Sequence, residues 1–91
     1  MKKIKIINDL DQDKYKELNI DNWPEWEKDE SEFPWTYEAT ETCYIEEGEI
    51  IVTPDDGDPV RVQEGDLVTF PAGLSCRWEI VKGVKKKYNF D

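Results

Sequence analysis

From Trp35 onward, bulky and polar residues alternate along the chain, and the alternation is repeatedly cut by turn residues. The stretch "WTYEATETCYIEEG" places Trp35, Tyr37, Ala39, Glu41, Cys43 and Ile45 on one face of an extended strand if no bulge intervenes. "EIIVTP", "PVRVQEGDLVTF", "SCRWEIV" and "KKKYNF" follow as further short runs. Asp56-Gly57, Glu64-Gly65-Asp66 and Pro71-Ala72-Gly73 supply the turn chemistry between them. Short strands punctuated in this way predict an all-β sandwich or barrel. The same period of two puts Cys76, Trp78 and Ile80 on one face, with Arg77 and Glu79 on the other.

The N-terminal third reads differently. "KIKII" has strand character, and "DLDQDKYKELNI" predicts one short helix, capped by Asp9 or Asp11 and carrying Tyr15 and Leu18 on its apolar side. "NWPEWEKDESEFPW" contains Pro24 and Pro34, which oppose helix and bias their neighbours to extended geometry. Residues 1–34 are therefore expected to form a strand, a short helix and a covering arm, with Trp23 and Trp26 packed on the outside. Residues 35–91 form the barrel core of the same single domain.

Composition narrows the function classes. The chain has 91 residues, enough for one small core, and four Trp, four Tyr and three Phe supply bulk in an otherwise polar sequence. A net charge of −10 repels a phosphate backbone and an anionic lipid surface, so nucleic acid and membrane are not expected partners. The run Lys82 to Lys87 carries four lysines and reads as a solvated edge strand. No apolar leader or membrane-length run is visible, so a cytoplasmic protein is expected, with Cys43 and Cys76 as reduced thiols.

Two glycine-anchored motifs resemble those of the cupin (RmlC-like jelly-roll) barrels. Gly65, Pro71 and Gly73 stand at the spacing of the second cupin motif, with Cys76 where that family places its last histidine and Ile80 in place of its asparagine. Glu41, six residues and then Gly48 match the end of the first motif; counting back puts Tyr37 and Trp35 at its two histidine positions. The phrases "WPEWE", "FPWTY", "ETCYIEEGE", "GDLVTFPAGLSCRW" and "KKYNF" resemble small single-domain cupins grouped with the cupin domain of ureidoglycine aminohydrolase. The resemblance implies a cupin barrel with a short N-terminal helix and arm, and a homodimer in which an N-terminal strand crosses to the partner. Of the small members it implies no settled activity; the aminohydrolase itself is a larger manganese enzyme that releases ammonia from ureidoglycine.

The chain has no histidine, and that changes the chemistry to expect. The resemblance implies that Glu41 faces inward, and with period two the inward set leaves Trp35, Tyr37, Glu41, Cys76 and Trp78 as candidates to line a ligand pocket, with apolar walls and a few convergent polar groups. Glu41, Cys76 and Tyr37 are the only candidate ligands for a divalent metal, and a carboxylate, a thiolate and a phenolate without imidazole make a poor match to known zinc sites; no cofactor is assigned. Cys76 lacks an inward-facing neighbour that would favour thiolate, which argues against a nucleophile. Cys43 reads as a small buried hydrophobe. Glu41, a carboxyl inside an apolar barrel, must be hydrogen-bonded, protonated or paired, and Tyr37 is the expected donor. Three functions fit: a module binding a small polar molecule; an enzyme using Glu41 and Cys76, with or without a metal, on a nitrogenous or carbohydrate-like substrate; and a structural or interaction protein.

Overall fold

The computed structural model of the protein describes residues 3–90. In chain order it contains β1 (Lys5–Ile7), α1 (Gln12–Glu17), a single 3-10 turn (Ile20–Asn22), β2 (Glu25–Lys28), β3 (Ser31–Thr36), β4 (Glu41–Pro54), β5 (Val60–Gln63), β6 (Leu67–Phe70) and β7 (Ser75–Phe90). The helix starts where a cap is available: the Asp11 carboxylate accepts a hydrogen bond from the Lys14 backbone N–H at 2.9 Å.

β4 and β7 organise the barrel. They are 14 and 16 residues long and run antiparallel along their whole length, from Glu41 opposite Phe90 to Pro54 opposite Cys76. Beside the first half of β4 and the second half of β7 lie β6, β1 and β2, in the order β1-β6-β4-β7-β2. Along the other halves, β5 pairs with β4 and β3 pairs with β7. The ladder between the long strands slips register at Ile45/Glu47, Glu47/Glu49 and Glu49/Ile50, and such bulges sharpen the local twist and bend the strand. Gly48 sits in this bend at φ 95°, and a Cβ there would lie 2.8 Å from the Lys82 carbonyl oxygen. Only glycine allows the two strands to meet so closely.

The bend folds the sheet over a core in which Cys43, Ile45, Ile50, Val52, Val62, Val68 and Phe70 are fully buried. Removing each larger apolar side chain from water contributes roughly 1.5–3 kcal/mol. A second cluster of Leu10, Ile20 and Leu67, flanked by Tyr15, Leu18, Trp23 and Tyr44, ties the helical segment to the sheet.

Several sequence expectations change here. The strand expected to run unbroken from Trp35 stops at Thr36, because Tyr37 N–H donates to the Leu74 carbonyl and Gly73 N–H donates back to the Tyr37 carbonyl, turning the chain before β4. "SCRWEIV" and "KKKYNF" are one continuous strand rather than two. The first 34 residues do more than cover the barrel: β1, β2 and most of β3 are hydrogen-bonded into its sheet. Pro34 is tolerated because β3 pairs only with β7 and so forms an edge. The lysine run is not a solvated edge, since Val84 to Lys87 pair with β2 on one side and Lys85 to Lys87 with β4 on the other.

Candidate functional site

A cavity of about 190 Å³ opens beside β2, β3 and β7. Its walls are almost wholly aromatic: Trp26, Phe33, Trp35, Tyr37, Trp78, Tyr88 and Phe90, with Glu41 and Lys86 as the only charged groups among the described residues. The rings support one another. Tyr37 stacks on Phe70 with centroids 4.8 Å apart, Phe33 stacks on Trp78 at 5.9 Å, and Trp26 meets Trp78 edge-on at 6.1 Å. Trp35 is half exposed and packs its edge toward Tyr37, which places it at the rim.

Glu41 and Lys86 form a buried ion pair. Lys86 Nζ donates to Glu41 Oε2 at 2.7 Å, and both side chains are more than nine-tenths buried. Strand geometry brings them together: Glu41 opens β4, and β7 runs alongside it with Lys86 on the same inward face as Val84 and Tyr88. The ammonium is enclosed further by aromatic faces, 4.8 Å from the ring centroids of both Trp26 and Trp78 and 5.8 Å from that of Tyr88. Trp26 stands directly across the β2–β7 ladder from Lys86. Cys43, two residues beyond Glu41 on the same face, donates its thiol to Glu41 Oε2 at 2.7 Å and accepts from Lys86 Nζ at 3.5 Å. Burial pushes the Cys43 thiol well above its ordinary range; the Lys86 charge opposes that shift and the Glu41 carboxylate adds to it. Cys43 is therefore a neutral hydrogen-bond donor, not a thiolate.

The residues expected from sequence are distributed unevenly. Trp35, Tyr37, Glu41 and Trp78 all line the cavity. Cys76 does not: it is buried beside β3, its thiol donates to the Trp35 carbonyl at 3.6 Å, and burial followed by the nearby Asp55 charge raises its pKa to about 11. Glu41 is satisfied by Lys86 and Cys43 rather than by Tyr37, whose hydroxyl instead accepts from Trp78 Nε1 at 3.1 Å. Burial pushes the Tyr37 phenol far upward, so it stays protonated. Of the two tryptophans expected outside, Trp23 packs in the helical cluster, whereas Trp26 lines the cavity.

Sequence reading missed Lys86, Trp26, Phe33, Tyr88 and Phe90 as wall residues and Cys43 as a partner of Glu41. A signal existed for some of them. Counting in twos from Val84 gives Lys86 and Tyr88 on the inward face, but three lysines in four residues mask that alternation.

Cupin barrels commonly hold a metal among imidazoles and a carboxylate, so the fit of such an ion is worth testing. Here the carboxylate already faces an ammonium at 2.7 Å, and a divalent cation beside it would be repelled at short range. Cys76 and Tyr37 are hydrogen-bonded elsewhere, to the Trp35 carbonyl and Trp78 Nε1, and among the described residues no three His, Cys, Asp or Glu side chains are placed to hold an ion. The donor set does not fit a metal.

A bent antiparallel barrel, closed by two shared long strands and opening on an aromatic pocket with a carboxylate at its floor, defines a small cupin. Residues 15–88 match the model of the EutQ-like cupin domain (Cupin_3), and the chain belongs to that family. It is 48% identical to a DUF861 family protein of Thermotoga maritima, over 98% of this chain and all of that one, with a TM-score of 0.94. The ethanolamine utilization protein Q (EutQ) of Salmonella typhimurium is 27% identical over 72% of this chain and 53% of its own, with a TM-score of 0.66. The Clostridium difficile EutQ protein shares the fold at 24% identity over 72% of this chain and 52% of its own, with a TM-score of 0.66. This chain thus spans about half the length of those EutQ proteins. No curated protein matches it.

Proposed function

We propose that the protein binds a small molecule in the aromatic cavity, with the apolar body of the ligand against the rings and one polar group at the Glu41–Lys86 pair. The observation that supports this most directly is the contrast between wall and floor. Seven aromatic residues line the cavity, Trp35 and Phe90 of them half exposed, whereas the two charged lining groups, Glu41 and Lys86, are buried and paired. An internal ion pair that served stability alone would need no opening, because the packed core could cover it. The volume, about 190 Å³, is below the roughly 300–1,000 Å³ of drug-sized sites, so the ligand is small. Relationship to ureidoglycine aminohydrolase would favour a nitrogenous ligand; among the described residues no group of His, Cys, Asp or Glu side chains is placed to hold that enzyme's metal.

Trp26, Trp35 and Trp78 all border the cavity, so occupancy should change tryptophan emission. A panel of small aromatic and aliphatic alcohols, amides and aldehydes, screened by fluorescence and by ligand-observed NMR, tests the reading. Trp35→Ala removes a half-exposed rim residue and should leave folding nearly intact while weakening binding by about threefold to thirtyfold. If no compound binds at millimolar concentration, or if Trp35→Ala binds every compound as well as the parent chain, the pocket is not a ligand site.

A further inference from the structure

We propose that Lys86 is an amine nucleophile that condenses reversibly with a small uncharged aldehyde or ketone admitted to the cavity, forming an iminium at its Nζ. The proposal rests on the ligand-site reading above and names the chemical class the site accepts.

Four observations carry it. Among the described residues Lys86 is the one amine that lines the cavity, and its side chain is buried there against Glu41. Glu41 Oε2 lies 2.7 Å from Nζ, within reach to take a proton from the ammonium and return it to a departing oxygen. The cavity lining is mostly apolar, which favours a condensation that releases water. Finally, an iminium keeps the positive charge on the same nitrogen. The carboxylate and the Trp26 and Trp78 faces that hold the ammonium therefore also face the cationic product, whose one remaining N–H can still donate to Glu41. A ligand carboxylate would need a second cation, and none of the described residues supplies one to the cavity, so α-keto acids are disfavoured.

The steps balance without an oxidant or reductant. Glu41 takes one proton from the Lys86 ammonium, and the freed lone pair forms a C–N bond to the carbonyl carbon. The carbonyl π electrons move to oxygen, which receives that proton from Glu41. Glu41 then removes a second proton from nitrogen and delivers it to the hydroxyl as the C–O bond breaks. Nitrogen donates its lone pair to complete the C=N bond. Ammonium and carbonyl compound become iminium and water, with the carboxylate regenerated. The neighbouring Cys43 thiol, whose burial disfavours thiolate, does not compete as a nucleophile.

The test uses the full folded chain with benzaldehyde and propionaldehyde as probes and sodium borohydride as the trap. Reduction converts the iminium to a secondary amine, and intact mass followed by peptide mapping locates the label. Labelling at Lys86 should exceed the mean of the other lysines by at least about tenfold. The preference should vanish when the same chain is labelled after unfolding in guanidinium chloride, a control that needs no variant to fold. Benzyl alcohol, which lacks the carbonyl, separates the two readings. If it and benzaldehyde both perturb tryptophan emission but Lys86 labels no faster than surface lysines, the condensation is wrong and the pocket stands. If neither compound perturbs the emission and labelling is even, both fall. Preferential labelling of Lys86 in the native chain alone supports the proposal.

Discussion

Replacing Lys86 with methionine isolates the ion pair at the cavity floor. The change keeps an unbranched chain of similar length against Trp26 and Trp78 but removes the charge that faces Glu41. With an effective dielectric constant of about 20, opposite charges at the observed 2.7 Å attract by roughly 6 kcal/mol before the desolvation of both groups is subtracted. Breaking a buried pair by removing one partner typically costs about 3–5 kcal/mol, because the other charge is stranded. Glu41 would then keep only the Cys43 thiol as a donor. Lys86→Met should therefore destabilise the fold by about 3–5 kcal/mol, a large share of the roughly 5–14 kcal/mol expected for a chain of this size. In a thermal scan that is a fall of at least about 12 °C. The double variant Glu41→Gln/Lys86→Met removes both charges and should recover at least about 2 kcal/mol relative to the sum of the single losses. Urea denaturation of the four proteins measures the cycle. Additive single effects, or a Lys86→Met chain within about 0.5 kcal/mol of the parent, would refute the account of the floor as a coupled pair.

Two further outcomes follow from other sites. The Tyr15 hydroxyl donates to Asp21 at 2.6 Å, and this bond, helped by partial burial and the Asp21 charge, raises its pKa from 10 to about 12. The folded state then holds a proton that the unfolded chain has lost, so this contribution is complete below pH 10 and is lost as pH rises toward about 12; ultraviolet phenolate titration of Asp21→Asn should show one tyrosine returning toward its ordinary value. Gly48→Ala forces a side chain into φ 95° and within 2.8 Å of the Lys82 carbonyl oxygen, and should cost more than about 2 kcal/mol in chemical denaturation. A chain that tolerates alanine there would show that the bend between β4 and β7 is softer than its geometry implies.

Much of the barrel was legible because its turns are written in residue types with fixed conformational preferences. Gly48, Gly65 and Gly73, the motif glycines, all adopt positive φ, and the inward alternation Glu41–Cys43–Ile45 and Cys76–Trp78–Ile80 is buried as period two requires. The helix cap was readable as one of two aspartates, and Asp11 rather than Asp9 takes the role. What sequence could not supply was the neighbour across the sheet. Lys86 looks like any surface lysine until β7 is paired with β2 and β4, because the aromatic faces and carboxylate that surround it come from 26, 41 and 78 along the chain. Cys76 misled for the opposite reason. It occupies a familiar motif position and faces inward, but at the end of the barrel where Trp35 and Pro54 are its partners rather than Glu41.

The ammonium that balances Glu41 is tied to the backbone, and that gives the site an unusual constancy. A bound ion is held by an equilibrium, so its occupancy falls on dilution, in competition or when supply is short. Lys86 cannot leave. The neutralising charge is renewed with every copy of the chain at synthesis, before any exchange with the surroundings, and its concentration at the carboxylate is set by covalent geometry rather than by supply. Sequestering agents that strip exchangeable ions have nothing to remove from this pair. Its loss requires a change in the gene or a covalent reaction at one nitrogen.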